Sequence, residues 1–246
     1  MRRLSSRDVA LMAIGAVLTY LSTVAIQVYI PATKGYFNIG EVMVYTWALL
    51  FGPWIGAFSA GVGSMMADVL TGYEQYAPAT LIIKGIEGFI VGKLHLLLKR
   101  MSISRAKVLS IVIATVASLA LAVLGLLIYS GVAEVTFFAL SGSISGAILS
   151  LYIPWLLWVL AAIVFIVITG VMVLKVDPML GIRALIVVIG GLEMVLGYFI
   201  YESVLYGPGQ AMVEVPYNIG QMLVGLVVSI PLSKSVERKV LVQSIH

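Results

Sequence analysis

Three features of this chain predict an all-α fold, a polytopic bundle of transmembrane helices. The residues are 61% hydrophobic and 11% charged, whereas a soluble domain carries about a quarter charged residues; the mean hydropathy is +1.12. Apolar runs recur along the whole length, most of them near the roughly 20 residues that a span requires. The basic residues are also confined to a few clusters. If every run crosses the bilayer, Arg2, Arg3, Arg7, Lys99, Arg100, Arg105, Lys107, Lys175, Arg183, Lys234, Arg238 and Lys239 all fall on one face, with only Lys34 in a loop on the other. The positive-inside rule makes that face cytoplasmic.

Taken in order, the spans are expected near Val9–Ile30, Ile39–Phe51, Trp54–Thr71, Ala79–Leu98, Val108–Ser130, Ser150–Leu174, Ala184–Leu205 and Pro216–Leu232. The first run is longer than a usual signal core and no small-x-small cleavage site follows it, so it reads as a retained span. The second is short and is separated from the third by Gly52-Pro53, which fits a tilted or partly re-entrant pair. Residues 1–246 form a single integral membrane domain, and an even number of spans puts both termini in the cytoplasm. The outer loops are then Pro31–Asn38, Gly72–Pro78, Gly131–Leu149 and Tyr206–Val215.

Small residues at regular spacing suggest close helix contacts in lipid. The third span has Gly52, Gly56, Ala60 and Ser64, and the first has Ala10, Ala13 and Ala16. Either stripe reads as internal packing or as a surface for another subunit.

The charged residues inside the spans carry the functional signal. A lysine or aspartate at a helix centre costs about 2.5–3.5 kcal/mol on insertion scales, so such residues usually face a protein interior or a wet cavity. Lys84 and Glu87 are three apart and share a helix face. Glu41, Asp68, Glu202 and Glu214 all fall in the outer half, and Glu214, Asn218 and Gln221 form a column on one helix face. Glu193 is deeper, about half-way through its helix. Collectively they describe an outward-open polar pocket. Singly, Lys84–Glu87 also reads as an internal ion pair, and Glu41 and Glu214 as solvated helix starts favoured by the helix dipole. Glu74 and Glu134 read as solvated loop acids.

Several chemistries find no support. Without cysteine there is no disulfide, thiolate metal site or cysteine nucleophile. His95 and His246 have no second histidine beside them, so no metal site is expected. The stretch Gly61-Val-Gly63-Ser-Met-Met-Ala67 fits G-x-G-x-x-A but follows no strand and sits inside a span, which voids it as a dinucleotide site. No Walker A sequence or G-x-S-x-G elbow is present, so an energised function needs an ion gradient or another subunit. The charge of +4 reflects topology rather than nucleic-acid binding.

The strings Asn38-Ile-Gly-Glu41, Leu50-Phe-Gly-Pro-Trp-Ile-Gly-Ala57, Ala67-Asp68, Gly72-Tyr73 and Tyr76-Ala-Pro-Ala-Thr-Leu-Ile-Ile-Lys-Gly-Ile-Glu-Gly88 resemble the substrate-binding S components of energy-coupling factor (ECF) transporters, nearest the riboflavin-transporter-like branch. So do Gly191-Leu-Glu-Met-Val-Leu-Gly-Tyr-Phe-Ile-Tyr-Glu202 and Glu214-Val-Pro-Tyr-Asn-Ile-Gly-Gln221. The likeness implies a six-span core over residues 9–99 and 184–234, with 108–174 as an inserted helix pair bearing Tyr152, Trp155 and Trp158, about eight spans in all. It implies capture of a vitamin, riboflavin first, and docking on a transmembrane coupling subunit with two cytoplasmic ATPase subunits. Such subunits are not enzymes and need no cofactor. The family's docking stripe has alanines four apart, whereas Ala10, Ala13 and Ala16 are three apart. The residues expected to line or order the site are Asn38, Glu41, Asp68, Tyr76, Lys84, Glu87, Glu193, Tyr198, Glu202, Glu214, Asn218 and Gln221, with Lys84 and Asn218 exchanging hydrogen bonds with the ligand and Tyr76 and Tyr198 stacking on it. A stand-alone secondary transporter coupled to protons or sodium through Glu87 and Glu193 is the rival reading; a membrane enzyme is weaker, since no nucleophile–base or metal constellation emerges.

Overall fold

The computed structural model describes residues 5–99, 101–128, 130–137, 147–171 and 178–243. Of the residues singled out above, Arg2, Arg3, Arg100, Lys175 and His246 lie outside this set, as do the side chains of Glu134, Tyr152, Arg238 and Lys239. The helices are α1 (Ser6–Ala25), α2 (Glu41–Phe51), α3 (Pro53–Thr71), α4 (Ala77–Leu98), α5 (Ile103–Ile128), α6 (Trp155–Val171), α7 (Pro178–Tyr206) and α8 (Pro208–Gln243). Each matches one of the expected spans, and the chain is a multi-pass helical membrane protein. By length and composition α1, Met179–Tyr206 and Pro208–Glu237 can each cross a bilayer unaided. At 11 residues, α2 covers only about 16 Å at 1.5 Å per residue.

Local chemistry sets the helix ends. Ser5 and Asp8 form a capping box at the start of α1, each side chain reaching the other's backbone N–H at 3.2 and 3.0 Å. Gly52 (φ +84°) adopts a conformation that L side chains rarely reach, and it ends α2 where Pro53 begins α3. Gly207 (φ +92°) does the same between α7 and α8, with Pro208 opening the new helix.

Three of the expected loops are ordered differently. The run Val9–Ile30 stops being helical at Ala25, and Gln27–Ile30 (β1) pairs antiparallel with Gly35–Asn38 (β2), Gln27 facing Asn38 and Ile30 facing Gly35. Val28, Tyr29 and Ile30 are β-branched or aromatic and suit a strand better than a helix end. At the two ends of the expected loop Gly131–Leu149, Gly131–Phe137 (β3) pairs antiparallel with Ala147–Ile153 (β4), so the sixth helix begins at Trp155 rather than Ser150. Residues 208–215, expected as loop, form the first turns of α8. Glu214 therefore sits inside a helix and does not open one.

The chain separates into two compact units, residues 1–101 with 182–246, and residues 102–181. In the first, α3 and α4 are in near backbone contact. A Cβ on Gly88 would lie 2.6 Å from the Gly56 carbonyl oxygen, and one on Gly92 would lie 2.5 Å from the Gly52 carbonyl carbon. Gly52 and Gly56, the first two members of the small-residue stripe, are thus spent on internal packing. A core of Ala79, Ile83, Met194, Val195 and Met222 joins α4, α7 and α8. In the second unit, α5 and α6 close on each other where the Trp158 indole occupies the space a side chain at Gly125 would need.

Candidate functional site

The site is built where the β1–β2 hairpin meets α2, α3, α4, α7 and α8. Its anchor is Lys84, which is 4% exposed. Its ammonium donates to Glu41 and, at 3.1 Å, to Glu87 Oε2. The Tyr45 hydroxyl donates to the other oxygen of Glu87 at 2.8 Å. Glu41 and Glu87 are fully buried, so Glu41 is no solvated helix start. Glycines make room for this group. A Cβ on Gly225 of α8 would fall 2.5 Å from Glu41 Cβ, and one on Gly191 of α7 would fall 2.8 Å from the Tyr45 hydroxyl. The cost of bringing three charges out of water is offset only because the pairing is this close.

Beside the triad lies a cavity of about 30 Å3, lined by Thr23, Gly35, Tyr36, Asn38, Ser64, Asp68, Tyr76, Thr80, Lys84, Tyr198, Glu214, Asn218 and Gln221. The hairpin forms one wall and is tied down by side-chain bonds. Tyr36 donates to Asp68 Oδ1 at 2.6 Å, Thr33 donates to Glu214, and the Asn38 backbone N–H reaches Gln221 Oε1 at 3.2 Å. Burial first, then the adjacent Asp68 carboxylate, push the Tyr36 phenol well above its usual range, which keeps it a donor. The Tyr76 hydroxyl donates to the Thr33 carbonyl at 2.7 Å, and Tyr198 donates to Thr80 at 2.9 Å. The column on α8 is a bonded unit, with Gln221 Nε2 donating to Asn218 Oδ1 at 2.7 Å.

Of the residues expected from sequence, Asn38, Asp68, Tyr76, Lys84, Tyr198, Glu214, Asn218 and Gln221 line this cavity. Glu41 and Glu87 stand behind its wall, joined through Lys84. Glu202 is fully buried beside Glu214, and Glu193 lies near Glu87 and Lys84 without reaching the lining. Tyr76 and Tyr198 are neighbours with ring centroids 6.4 Å apart. Glu74 is an exposed loop residue, as expected. The alanine stripe of α1 divides: Ala16 is packed inside against α3, where a Cβ on Gly63 would meet its carbonyl oxygen, while Ala10 and Ala13 are exposed. Among the described residues no group of three or more His, Asp or Glu side chains is placed to hold a metal ion.

Sequence reasoning passed over Tyr36, Tyr45, Thr33, Thr23, Ser64 and Thr80. One of these was readable. Tyr76, Thr80 and Lys84 are four apart and form one face of α4. Tyr36 and Thr33 depend on the hairpin, whose pairing no local pattern announces.

The comparisons with known proteins agree with this architecture. A Pyrococcus woesei protein, described as an uncharacterized protein in the gap 3'region, is 50% identical over 72 residues, 29% of this chain. The chain spans about half the length of that curated relative (48%). The family model for the S component of the ECF-type riboflavin transporter matches residues 3–139 and 135–238. Between them these matches take in the triad, the cavity and both units, and the chain belongs to the family of ECF-type riboflavin transporter S components, membrane-embedded subunits of vitamin uptake.

Proposed function

We propose that this chain captures a vitamin, with riboflavin favoured, in the cavity beside Lys84 and presents it to an energy-coupling module made of a transmembrane subunit and two ATPase subunits. The observation that carries the reading is the cavity itself. It is a polar pocket inside a membrane bundle, walled by a hairpin and backed by a fully buried Glu41–Lys84–Glu87 triad. Family membership supplies the transport context.

In this reading both termini are cytoplasmic, the hairpin end faces outward, and residues 108–174 are an inserted helix pair in a six-span core. At about 30 Å3 the cavity is far smaller than the roughly 300–1,000 Å3 of ordinary small-molecule pockets. Capture therefore requires the hairpin wall to yield, breaking the Tyr36–Asp68 and Asn38–Gln221 contacts and remaking them around the ligand. Tyr76 and Tyr198 offer flat faces to a ring, and Asn218 its amide. Ala10 and Ala13 form the exposed part of the stripe that meets the coupling subunit.

Riboflavin binding to the purified chain, followed by flavin fluorescence quenching, tests ligand capture. Uptake into proteoliposomes tests coupling: accumulation that needs the ATPase subunits supports the proposal. Gradient-driven uptake by the chain alone would favour the rival secondary transporter, in which Glu193, close to Glu87 and Lys84, takes part in ion coupling.

A further inference from the structure

The turn of the β1–β2 hairpin rests on a pair of acids that no cation serves. Glu202 of α7 is fully buried, and among the described residues no backbone, hydroxyl, amide or cationic donor reaches either of its oxygens. What it meets is the carboxyl group of Glu214 on α8, itself 4% exposed, and the two are hydrogen-bonded to each other. The other titratable groups on this side are phenols, Tyr76 of α4 facing both acids and Tyr206 of α7 beside Tyr76. The turn itself contributes Lys34, which is exposed. Two carboxylates have no donor to offer each other. A hydrogen bond between them therefore needs one proton on the pair.

Thr33 shows which acid keeps the charge. Its hydroxyl oxygen takes the Gly35 N–H at 3.4 Å, so its own proton goes to Glu214. Glu214 accepts from Thr33 on one side, as a carboxylate does, and Glu202 is the acid that donates on the other. The turn fits this group closely. A Cβ on Gly35 would lie 2.7 and 3.0 Å from the two Glu214 oxygens and 3.2 Å from the Tyr76 hydroxyl. That hydroxyl in turn donates to the Thr33 carbonyl at 2.7 Å.

We propose that Glu202 and Glu214 form a binding site for a single proton, and that this proton latches the β1–β2 hairpin over the cavity. While the turn is seated the pair is dry, and removing the proton would leave two like charges in contact with no cation to match them. Once the turn lifts and water enters, both groups become ordinary glutamates, which ionise near about pH 4.3, and the proton leaves. Opening thus releases one proton at any pH above that value at which the closed pair still holds its own. Falling pH keeps the hairpin shut and rising pH frees it, by up to about tenfold in the opening equilibrium per pH unit. The proton site stands whatever the cavity holds, whereas its effect on ligand entry rests on the vitamin-capture reading.

Infrared spectroscopy and hydrogen exchange on the full chain in nanodiscs test this, with Glu202→Gln as the comparison. That amide still donates to Glu214 but has no acidic proton to lose. At neutral pH the wild type should show the C=O stretch of a protonated carboxylic acid, shifted in heavy water, that is missing from Glu202→Gln. Exchange of the Gln27–Asn38 amides is read as the ratio of wild type to Glu202→Gln at each pH. Between about pH 5 and about 8 that ratio should climb toward about tenfold per unit. Riboflavin association in stopped flow should rise with pH in the wild type and stay flat in the variant. Glu214→Gln removes the same shared proton from the other side and takes over the comparison if Glu202→Gln fails to fold. Carboxylic-acid bands identical in wild type and variant overturn the proton site, and an exchange ratio unmoved by pH overturns the latch. Riboflavin association with the same pH profile in both proteins overturns the link to capture. If riboflavin does not bind at all, the capture reading fails on its own account, and the infrared band and the exchange ratio still decide the proposal.

Discussion

Two buried or half-buried charge groups in this bundle follow opposite rules. On α7 and α8, Arg183 donates to Glu237 at 2.5 Å and to the Ser233 hydroxyl at 3.2 Å, one cation to one anion. Beside the cavity, one lysine is shared by two acids, Glu41 and Glu87, and Asp68 and Glu214 are held by the Tyr36 and Thr33 hydroxyls rather than by a cation. Balanced charge holds helices together and needs nothing from outside. Unbalanced, desolvated charge is costly to keep, and a protein that keeps it at the edge of a cavity has a use for it. The contrast separates structural from ligand-facing charge more cleanly than burial does.

The largest expected effect is at Lys84. Removing one member of a buried ion pair leaves its partners uncompensated and costs about 3–5 kcal/mol, so Lys84→Met should unfold well below the wild type and lose ligand binding. The triple variant Glu41→Gln, Lys84→Met, Glu87→Gln removes all three charges and should recover most of that stability without recovering binding. If Lys84→Met binds ligand normally, Lys84 belongs with Arg183 as a structural cation and the contrast dissolves.

Next comes Tyr36→Phe, which strips a hydrogen bond from a buried carboxylate. Such bonds are worth about 1.5–3 kcal/mol, and the loss should appear as faster ligand dissociation in stopped-flow fluorescence, since Tyr36 fixes the hairpin over the cavity. Gly88→Leu probes the other kind of contact. A Cβ there already lies 2.6 Å from the Gly56 carbonyl, and overpacking costs about 1–3 kcal/mol, read as a lower Tm with the ligand's relative affinities unchanged. The smallest effect is expected at Arg183→Met. Glu237, one-third exposed in its side chain, can be rehydrated once unpaired, so the cost should stay near 1 kcal/mol and binding should not change. Ligand affinity that falls with Arg183→Met as far as with Tyr36→Phe would mean the two charge groups are coupled.

How much of this was legible in the sequence depended on the range of the interaction. Helices were written in hydropathy, and Lys84 and Glu87 announced themselves because charge in a span is conspicuous. The α8 column of Glu214, Asn218 and Gln221 followed from periodicity alone. Glu41 showed the limit, since its position at a helix start gave a solvated reading as readily as a buried one. Only the approach of Lys84 from α4, and the absence of a side chain at Gly225 on α8, decided it. The hairpin was misread because Val28, Tyr29 and Ile30 are as apolar as a helix end, and hydropathy does not distinguish the two. The partners of the buried acids were beyond reach for the same reason: finding them requires knowing which hydroxyl meets which carboxylate along the chain, as Thr33 meets Glu214 from 181 residues away.

The account rests on the cavity holding a vitamin-like molecule, and mass spectrometry of small molecules released from gently purified, unwashed protein tests this most directly. The account predicts one vitamin near one per chain, riboflavin first, lost from the triple variant at Glu41, Lys84 and Glu87. A co-purifying molecule of another class, or the same vitamin retained in equal amount by that triple variant, would contradict it.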